Sequence, residues 1–346
     1  MTEPSLRWGI LGTGGIASVF AEDVLRLPGH EVAAVGSRSH ATAAAFAERY
    51  GVPRAHGSYA GLAADDGVDV VYVATPHPMH FEPARLCVEA GRAVLVEKPF
   101  TTGAAEAEKL AALARERGVF AMEAMWTRFN PLVRRVRDLV AGGAIGDVTA
   151  VYADFSITAA FDAGHRLWSP ELGGGALLDL GCYPLSFTWP LLGPPASVQA
   201  TASPAPTGVD ANTGILLGYE SGAIALLHCG LLGDSPHGAT VVGTRGRIDV
   251  ASPFYRPASM TVVRTGGDPE VLTADIEGHG YTYQAEEVAR CLRAGLTESP
   301  LMPLDETIAI LRTIDEIAAR SGQRPAEGAT PQTPRQEPTD RGPSLR

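Results

Sequence analysis

Three ionisable side chains stand in sequence settings that suit the handling of protons and charge. Lys98 follows Glu97 at the end of an apolar run, where a lysine can donate to a substrate oxygen and stabilise negative charge on it. Asp179 and Tyr183 are four residues apart, so on a helix they share one face, and the glycines at 173–175 would leave room for a ligand. A solvated strand-end lysine and an ordinary helix surface are the alternatives for each feature alone. Together the three residues form a candidate catalytic set.

A glycine-rich turn lies near the start of the chain, between an apolar run and a helical pattern. It reads Gly12-Thr13-Gly14-Gly15-Ile16-Ala17. In a Gly-x-Gly-x-x-Ala turn of this kind, Gly12 permits the tight turn, Gly14 lets the backbone approach a pyrophosphate, and Ala17 lets the helix pack closely on the strand. The first amides of the helix then face the phosphates. A tight turn without a ligand is the alternative, but the strand-turn-helix setting favours a dinucleotide.

The end of the second predicted strand distinguishes the two nicotinamide dinucleotides. Enzymes that use NAD commonly present Asp or Glu there to the ribose hydroxyls. This chain has Gly36-Ser37-Arg38-Ser39 instead. Without a carboxylate nothing repels a 2′-phosphate, while Ser37 can hydrogen-bond it and Arg38 can pair with it. The sequence therefore predicts NADP, with NAD as the less favoured cofactor.

Composition narrows the class of partner. The 346 residues carry a net charge of -11, which repels nucleic-acid backbones, and Lys and Arg do not form a block with interleaved aromatics. No apolar run reaches about eighteen residues and no signal-peptide pattern precedes the first strand, so we expect a cytoplasmic protein without a membrane partner. The His, Cys and acidic residues show no metal-ligand spacing, and the four Cys are interpreted as reduced core thiols. A small molecule is the expected substrate.

The first third of the chain alternates apolar runs with helical patterns, which is typical of parallel βαβ units. Strands are predicted at 7–11, 31–36, 68–75, 93–96 and 120–122. From residue 147 onward, longer alternating runs joined by Gly and Pro turns indicate a mostly antiparallel sheet. Strands are predicted there at 148–157, 214–219, 223–232, 239–250 and 260–264.

The fold class is therefore α/β, and the length favours two domains. Residues 1–125 are predicted to form a Rossmann domain that binds NADP, and residues 126–321 an α+β domain for the substrate and for dimerisation. The last helix, at about 303–321, is expected to pack back on the Rossmann domain. Residues 322–346 have almost no apolar side chains and are expected to form a disordered tail.

Four groups of residues together resemble the Gfo/Idh/MocA oxidoreductase family. They are the turn from Gly12 to Ala17, the run Thr75-Pro76-His77-Pro78-Met79-His80, the triplet Glu97-Lys98-Pro99, and the glycine-rich run that ends at Asp179 and Tyr183. The resemblance extends over about residues 6–320.

A further run identifies a branch of that family. Met122-Glu123-Ala124-Met125-Trp126-Thr127-Arg128-Phe129 resembles the branch with dimeric dihydrodiol dehydrogenase and NADP-dependent D-xylose dehydrogenase. Tyr183 supports this branch, because inositol dehydrogenases have His at the matching position. The resemblance implies an open-faced sheet in the second domain, a substrate cleft between the domains, and homodimers built through that sheet.

The resemblance also implies a set of binding residues. The expected cofactor contacts beyond the glycine turn are Ser37, Arg38, Thr75, Pro76, His80, Glu97 and Lys98. The expected substrate contacts are Trp126, Arg128, Phe129, Trp168, Asp179 and Tyr183, with His165 beside Trp168. Alternatives remain for three of them: His80 could cap the following helix, Glu97 could anchor structure, and Phe129 could pack between the domains. Arg128 would donate to a sugar or diol oxygen, and packing is its less favoured alternative.

In the implied mechanism, NADP lies along the sheet edge with its nicotinamide near Lys98. Tyr183 accepts the hydroxyl proton as hydride leaves the substrate, and returns that proton in reduction. Because a phenol titrates near about pH 10, Lys98 would have to stabilise the phenolate. Asp179 would orient Lys98 or hold a neighbouring substrate hydroxyl.

The expected function is NADP-dependent hydride transfer between nicotinamide and a hydroxyl carbon of a sugar, polyol or cyclic trans-diol. One alternative is an aldose-aldose oxidoreductase that keeps NADP tightly bound. Another, from a different class, is a non-catalytic NADP-binding sensor or regulator. A sensor has no use for Lys98, Asp179 and Tyr183 together, so their joint presence favours an enzyme.

Overall fold

The computed structural model describes residues 5–322, so the expected tail lies outside the described residues except for Gly322. The N-terminal part is built on six strands: β1 (Leu6–Leu11), β2 (His30–Gly36), β3 (Arg54–His56), β4 (Val70–Val73), β5 (Ala93–Glu97) and β6 (Ala121–Ala124). They form one parallel sheet in the order β3-β2-β1-β4-β5-β6. This is a Rossmann-type sheet. The strand order reverses its direction between β1 and β4, and such sheets bind ligands beside that point, at the carboxyl ends of the strands.

Helices connect these strands. They are α1 (Gly15–Val24), α2 (His40–Tyr50), α3 (Tyr59–Ala63), α4 (Phe81–Glu89) and α5 (Ala104–Arg117). All four residues of β4 are buried, as the apolar run predicted for a strand covered on both faces. Helix α5 ends at Gly118, whose φ of +63° is the left-handed conformation that glycine adopts at a helix end.

The C-terminal part is built on eight strands: β7 (Val148–Ser156), β8 (Ser197–Pro204), β9 (Asp210–Gly218), β10 (Ile224–Gly230), β11 (Ala239–Gly243), β12 (Gly246–Val250), β13 (Ser259–Arg264) and β14 (Glu270–Thr273). Their order is β14-β13-β12-β11-β7-β10-β9-β8. All neighbours are antiparallel except β7 and β10, which run parallel. The sheet is therefore mixed and mostly antiparallel.

Four further helices complete the described chain: α6 (Pro131–Ala141), α7 (Cys182–Leu192), α8 (Thr282–Arg293) and α9 (Leu304–Arg320). Helix α9 packs against helix α5 and strand β6 of the N-terminal part and against strand β8 of the C-terminal sheet. Asp315 accepts a hydrogen bond from the Ala104 amide at the start of α5, and the Thr307 hydroxyl donates to Glu123 on β6. The last helix thus lies against the Rossmann-type domain.

One strand prediction was wrong, and three strands were not predicted. The run at 239–250 is a hairpin rather than one strand, because Gly243 and Gly246 face each other across a tight turn. The strands β3, β8 and β14 were not predicted. Each lies at a sheet edge and has little continuous apolar sequence, since an edge strand has only one neighbour to pack beside.

The four Cys are buried free thiols, as predicted for core residues. Within residues 5–322, no helix is both long enough and apolar enough to cross a membrane. The same range contains no cluster of three or more His, Cys, Asp or Glu that could hold a metal ion.

Candidate active site

Lys98 lies at the carboxyl edge of the parallel sheet, directly after β5. Its Nζ donates to Oδ1 of Asp179 at 2.9 Å and to the main-chain oxygen of the same residue at 2.8 Å. Only 13% of the Lys98 side chain and 6% of the Asp179 side chain are exposed. A buried ion pair with two hydrogen bonds fixes the ammonium in one place. Lys98 is therefore not a solvated strand-end charge.

Asp179 lies on a single π-helical turn, Leu177–Gly181, that leads directly into α7. In a π turn each carbonyl accepts from the amide five residues later. Five residues after Asp179 stands Pro184, which has no N–H to offer. The Asp179 carbonyl accepts from the Lys98 ammonium at 2.8 Å and from the Cys182 thiol at 3.5 Å.

The glycines before this turn serve close packing within the protein rather than access for a ligand. Gly175 has φ of +114°, and a Cβ there would clash with Asp210. The Asp210 carboxylate accepts from the Leu177 amide at 2.7 Å and so caps the turn that carries Asp179. A Cβ on Gly174 would lie 2.8 Å from main-chain oxygens of the preceding loop. The expectation that three glycines leave room for a ligand is therefore corrected.

Tyr183 lies beside Lys98 in a cluster of aromatic rings. The Lys98 Nζ is 5.0 Å from the centre of the Tyr183 ring. The indole Nε1 of Trp126 donates to the Tyr183 hydroxyl at 3.0 Å, and Phe155 meets the ring edge-to-face at 5.2 Å. Because an indole N–H can only donate, the Tyr183 proton must point away from Trp126.

The electrostatics of the three residues differ. Burial disfavours charge on Lys98 and Asp179, but their mutual attraction outweighs it: the pKa of Lys98 is raised and the pKa of Asp179 is lowered. Burial raises the pKa of the Tyr183 phenol, and the Lys98 charge offsets this only in part. The Lys98 charge lowers the pKa of Tyr183, as stabilisation of a phenolate requires, but burial has the larger effect. At neutral pH Tyr183 is a phenol beside a fixed cation.

Two further side chains reach Asp179 that the sequence did not single out for this site. The His77 Nε2 is 3.5 Å from Oδ1, and the Arg166 Nη1 is 3.3 Å from Oδ2. Burial lowers the pKa of His77 to about 3, so it stays neutral. Arg166 is half-exposed and lies on the loop before the glycine run. Only the position of His77, three residues from His80 after a strand, gave any signal in the sequence.

His80 supports the backbone around Lys98. It is fully buried, its Nδ1 is 2.7 Å from the Pro99 oxygen, and its Nε2 is 2.8 Å from the Thr75 oxygen. Burial lowers its pKa to about 4. His80 is the N-cap residue of α4, although its side chain makes no capping hydrogen bond to that helix. Nearby, the Thr75 hydroxyl donates to the Met79 oxygen, and Pro76 is exposed.

Two buried carboxyl groups hold the same segment from behind. Glu97 accepts from the Tyr72 hydroxyl and from the Lys98 amide, and Glu123 accepts from the Phe100 amide at 3.1 Å. Burial raises the pKa of each carboxyl to about 7. Glu97 therefore has the anchoring role that was its alternative, and Glu123 is a supporting residue that sequence reasoning missed.

The remaining expected substrate contacts are all buried side chains. Arg128 bonds Glu306 and two main-chain oxygens, and only 4% of its side chain is exposed. All of these acceptors belong to the C-terminal part of the chain, so the geometry favours a packing role for Arg128 within that part. Phe129 is buried below a groove between α6 and α8. The Trp168 indole donates to the Ala160 oxygen, whereas the Trp126 indole donates to the Tyr183 hydroxyl.

The glycine turn has the geometry that a pyrophosphate requires. Gly12 has φ of +103°, and a Cβ there would lie 2.5 Å from the Ala74 oxygen. Gly14 and Gly15 are exposed and have open space where a side chain would stand. No side chain caps the first turn of α1, which leaves its amides facing that space. The donor set therefore fits a dinucleotide phosphate.

The second part of the cofactor prediction lies at the end of β2. The Ser37 hydroxyl is 2.8 Å from that of Thr42, and Arg38 is exposed. A guanidinium in this position is open to a phosphate, which agrees with the preference for NADP.

The fold and the site define a Rossmann-type oxidoreductase, and comparison with known proteins identifies its family. The model "Oxidoreductase family, NAD-binding Rossmann fold" matches residues 6–125, and the model "GFO/IDH/MocA C-terminal domain" matches residues 133–249. The chain belongs to the Gfo/Idh/MocA oxidoreductase family.

Relatives cover most of the chain. D-xylose 1-dehydrogenase (NADP(+)) from Hypocrea jecorina is 38% identical over 92% of this chain and 92% of its own length. Trans-1,2-dihydrobenzene-1,2-diol dehydrogenase from Mus musculus is 38% identical over 90% of this chain and 96% of its own. The aldose-aldose oxidoreductase from Caulobacter crescentus, solved with glycerol, superposes with a TM-score of 0.84 at 26% identity, covering 92% and 98% of the two chains.

Proposed function

We propose that this protein is an NADP-dependent dehydrogenase that transfers hydride between nicotinamide and a hydroxyl carbon of a sugar, polyol or cyclic trans-diol. The observation that carries the proposal is the buried Lys98–Asp179 pair beside Tyr183, at the carboxyl edge of a dinucleotide-binding sheet. The xylose and dihydrodiol dehydrogenases to which the chain is similar act on such hydroxyl groups by name.

The cofactor is held by the glycine turn, by Ser37 and Arg38, and by the 75–76 segment. When bound, NADP supplies the hydride acceptor, and NADPH the hydride donor. The role of the protein is to bind the phosphates at the start of α1 and to hold the substrate oxygen between a cation and a proton.

In reduction, Lys98 polarises the substrate carbonyl with a fixed positive charge, and Tyr183 gives its proton to the oxygen as hydride reaches the carbon. The phenolate left behind is stabilised by Lys98 and by the Trp126 N–H. In oxidation the steps reverse: the hydroxyl proton goes to the Tyr183 oxygen and the hydride leaves. Because the pKa of Tyr183 is raised, oxidation accelerates as pH rises and the phenolate becomes accessible.

Further residues take supporting roles. Trp126 lines the substrate cleft and orients Tyr183, and the buried Trp168 supports the cleft wall. Arg166 is a substrate contact at the mouth, because it is the half-exposed member of the Asp179 cluster. Arg128 and Phe129 position the Trp126 segment from within. The domain boundary proposed at residues 125 and 126 places Trp126 where the two domains meet.

The alternative of an aldose-aldose oxidoreductase with tightly bound NADP has one observation in its favour, the TM-score of 0.84 to the Caulobacter protein. Absorbance of the protein after purification and extended dialysis separates the two. Retained nucleotide at one equivalent per chain favours this alternative, while cofactor-free protein that binds added NADP favours the dehydrogenase.

We infer a cytoplasmic homodimer built through the outer face of the eight-stranded sheet. Tyr152, Leu216, Ile224 and Leu226 are large apolar residues there, and each is at least 37% exposed. Leu226 lies beside Tyr152 on one neighbouring strand and beside Leu216 on the other, so the patch is continuous. Light scattering should give a dimer for the protein and a monomer for Leu226→Glu.

The function is tested by following NADPH formation across aldoses, polyols and trans-dihydrodiols, with NADP and NAD compared. We expect turnover on at least one member with NADP preferred. Tight NADP binding with no turnover on any member, in either direction, would contradict the proposal.

A further inference from the structure

Asp23 is a buried carboxylate on the helix that opens at the dinucleotide turn. It lies in the last turn of α1 and is 0% exposed. Its oxygens accept from the His279 amide at 2.9 and 3.0 Å, from the His279 Nδ1 at 2.9 Å and from the Tyr281 amide at 2.9 Å. A negative charge near the carboxyl end of a helix opposes the helix dipole, so these bonds to another domain must hold it there.

The loop that donates these bonds is shaped to close around the carboxylate. Gly278 has φ of +56°, and a Cβ there would clash with Oδ1 of Asp23. Gly280 has φ of +97°, and a Cβ there would lie 3.1 Å from Cζ3 of Trp126. Two glycines thus let the 278–281 loop fit between the carboxylate of α1 and the indole of Trp126.

The contacts continue from this loop to the proposed proton donor. The Tyr281 ring stacks on the Trp126 ring, with centres 4.7 Å apart and planes 23° apart. The Trp126 Nε1 donates to the Tyr183 hydroxyl at 3.0 Å. Three consecutive contacts therefore join α1 to Tyr183: carboxylate to amide, ring to ring, and indole to phenol.

We propose that Asp23 is a positioning residue for Tyr183, which it orients through the Tyr281–Trp126 stack. The inference rests on the proposed role of Tyr183. The direction of the indole N–H is set by the plane of the Trp126 ring, and that plane is set by Tyr281. Because the Tyr281 amide is held by Asp23, the helix that binds the cofactor phosphates and the residue that moves the proton share one rigid connection.

The test compares Asp23→Asn with a matched acid in the same domain. Asp65→Asn is the control, because Asp65 is also largely buried and pairs with Arg54 and His56, far along the chain from this loop. In Asp23→Asn an NH2 group replaces one carboxylate oxygen and faces N–H donors, so the loop loses one of its two acceptor atoms. We expect kcat to fall about 10-fold with the Kd for NADP changed less than about 2-fold, and Asp65→Asn to keep kcat.

The stack is tested by substitutions at Tyr281. Tyr281→Phe retains the stacked ring and should keep kcat near that of the parent, whereas Tyr281→Leu removes it and should match the loss in Asp23→Asn. The double variant Asp23→Asn/Tyr281→Leu should lose little more than either single variant, because both act through the same contacts.

Three results would overturn the proposal: full kcat in Asp23→Asn and Tyr281→Leu, a loss confined to NADP affinity, or losses in the double variant that multiply. If Asp23→Asn fails to fold, the Tyr281 pair alone decides. Tyr183→Phe separates this inference from the function itself: an active Tyr183→Phe contradicts the role of Tyr183, whereas an inactive one beside fully active Asp23 and Tyr281 variants contradicts only the positioning.

Discussion

The glycine turn and the Lys98 cluster differ in how the chain builds them. The turn consists of six consecutive residues, and it acts through backbone amides and open space, with Gly14 and Gly15 exposed. The cluster joins Lys98 to Asp179 across 81 positions, and it acts through charges that are almost wholly buried. Binding is therefore local and formed by the backbone, whereas chemistry is non-local and depends on a few charged side chains. Substitutions in the two regions should fail in different ways.

The largest effect is expected for Lys98→Met. It removes the cation that polarises the substrate oxygen and leaves Asp179 without its main partner. We expect kcat to fall about 1000-fold and the free energy of unfolding to fall by about 3 kcal/mol. Steady-state kinetics and urea unfolding measure the two. Lys109→Met is the control, because Lys109 is exposed on α5 and should change neither.

The next largest effect is a pH dependence of the unfolding free energy, which arises from the buried carboxyl group of Glu123. The pKa of Glu123 is raised to about 7 in the folded protein, so the folded state holds its proton more tightly than the unfolded state. The stabilisation that comes from this protonated carboxyl is fully present below about pH 4 and is lost as pH rises towards about 7. The stability of the folded protein therefore falls over this range. Glu123→Gln has no such group.

The parent protein should therefore lose, relative to Glu123→Gln, on the order of 3 kcal/mol of unfolding free energy between about pH 4 and pH 8. Taking the difference removes the opposite contributions of His77 and His80, whose pKa values are lowered. Urea unfolding across this range measures it. A constant difference would show that Glu123 is not a buried, protonatable support of the cluster.

A smaller effect is expected for a substitution in the glycine turn, where NADP affinity should fall without a loss of stability. Gly14 has an ordinary backbone conformation and open space around it, so Gly14→Ala should fold as well as the parent. The added methyl group should keep the pyrophosphate from the backbone and weaken NADP binding about 30-fold, measured by fluorescence titration. Gly12→Ala is the contrast, because its φ of +103° and the Ala74 oxygen predict a loss of stability too.

The smallest effect concerns the choice of cofactor. Arg38→Ala removes an exposed guanidinium, so stability should not change, while kcat/KM for NADP relative to NAD should fall about 10-fold. Steady-state kinetics with both cofactors measure this ratio. An unchanged ratio would assign the preference for NADP to another residue.

The same contrast explains what the sequence could predict. The parallel sheet followed from apolar runs such as β4, and the turn followed from adjacent glycines and the strand before them. The pairing of Lys98 with Asp179 came only from resemblance, because local patterns do not encode contacts across 81 residues. The ion pair of Arg128 was not predicted for the same reason: its partner, Glu306, lies on the last helix.

Two features of the run from 173 to 183 had different outcomes. The glycines at 173–175 suggested ligand access, but Gly175 accommodates Asp210, a residue on a distant strand. The spacing of Asp179 and Tyr183 was meaningful, although through a π turn rather than a regular helix. No sequence pattern in this run distinguishes a π turn from a regular helical turn.

The central claim is that Tyr183 moves the proton beside a cation fixed by Asp179. Its most direct test is single-turnover hydride transfer by Tyr183→Phe with NADP saturating, with NADP affinity measured on the same preparation. The account predicts parent-like affinity and transfer at least about 100-fold slower, because the ring remains and only the proton-carrying oxygen is lost. Transfer at a rate close to that of the parent protein would contradict it.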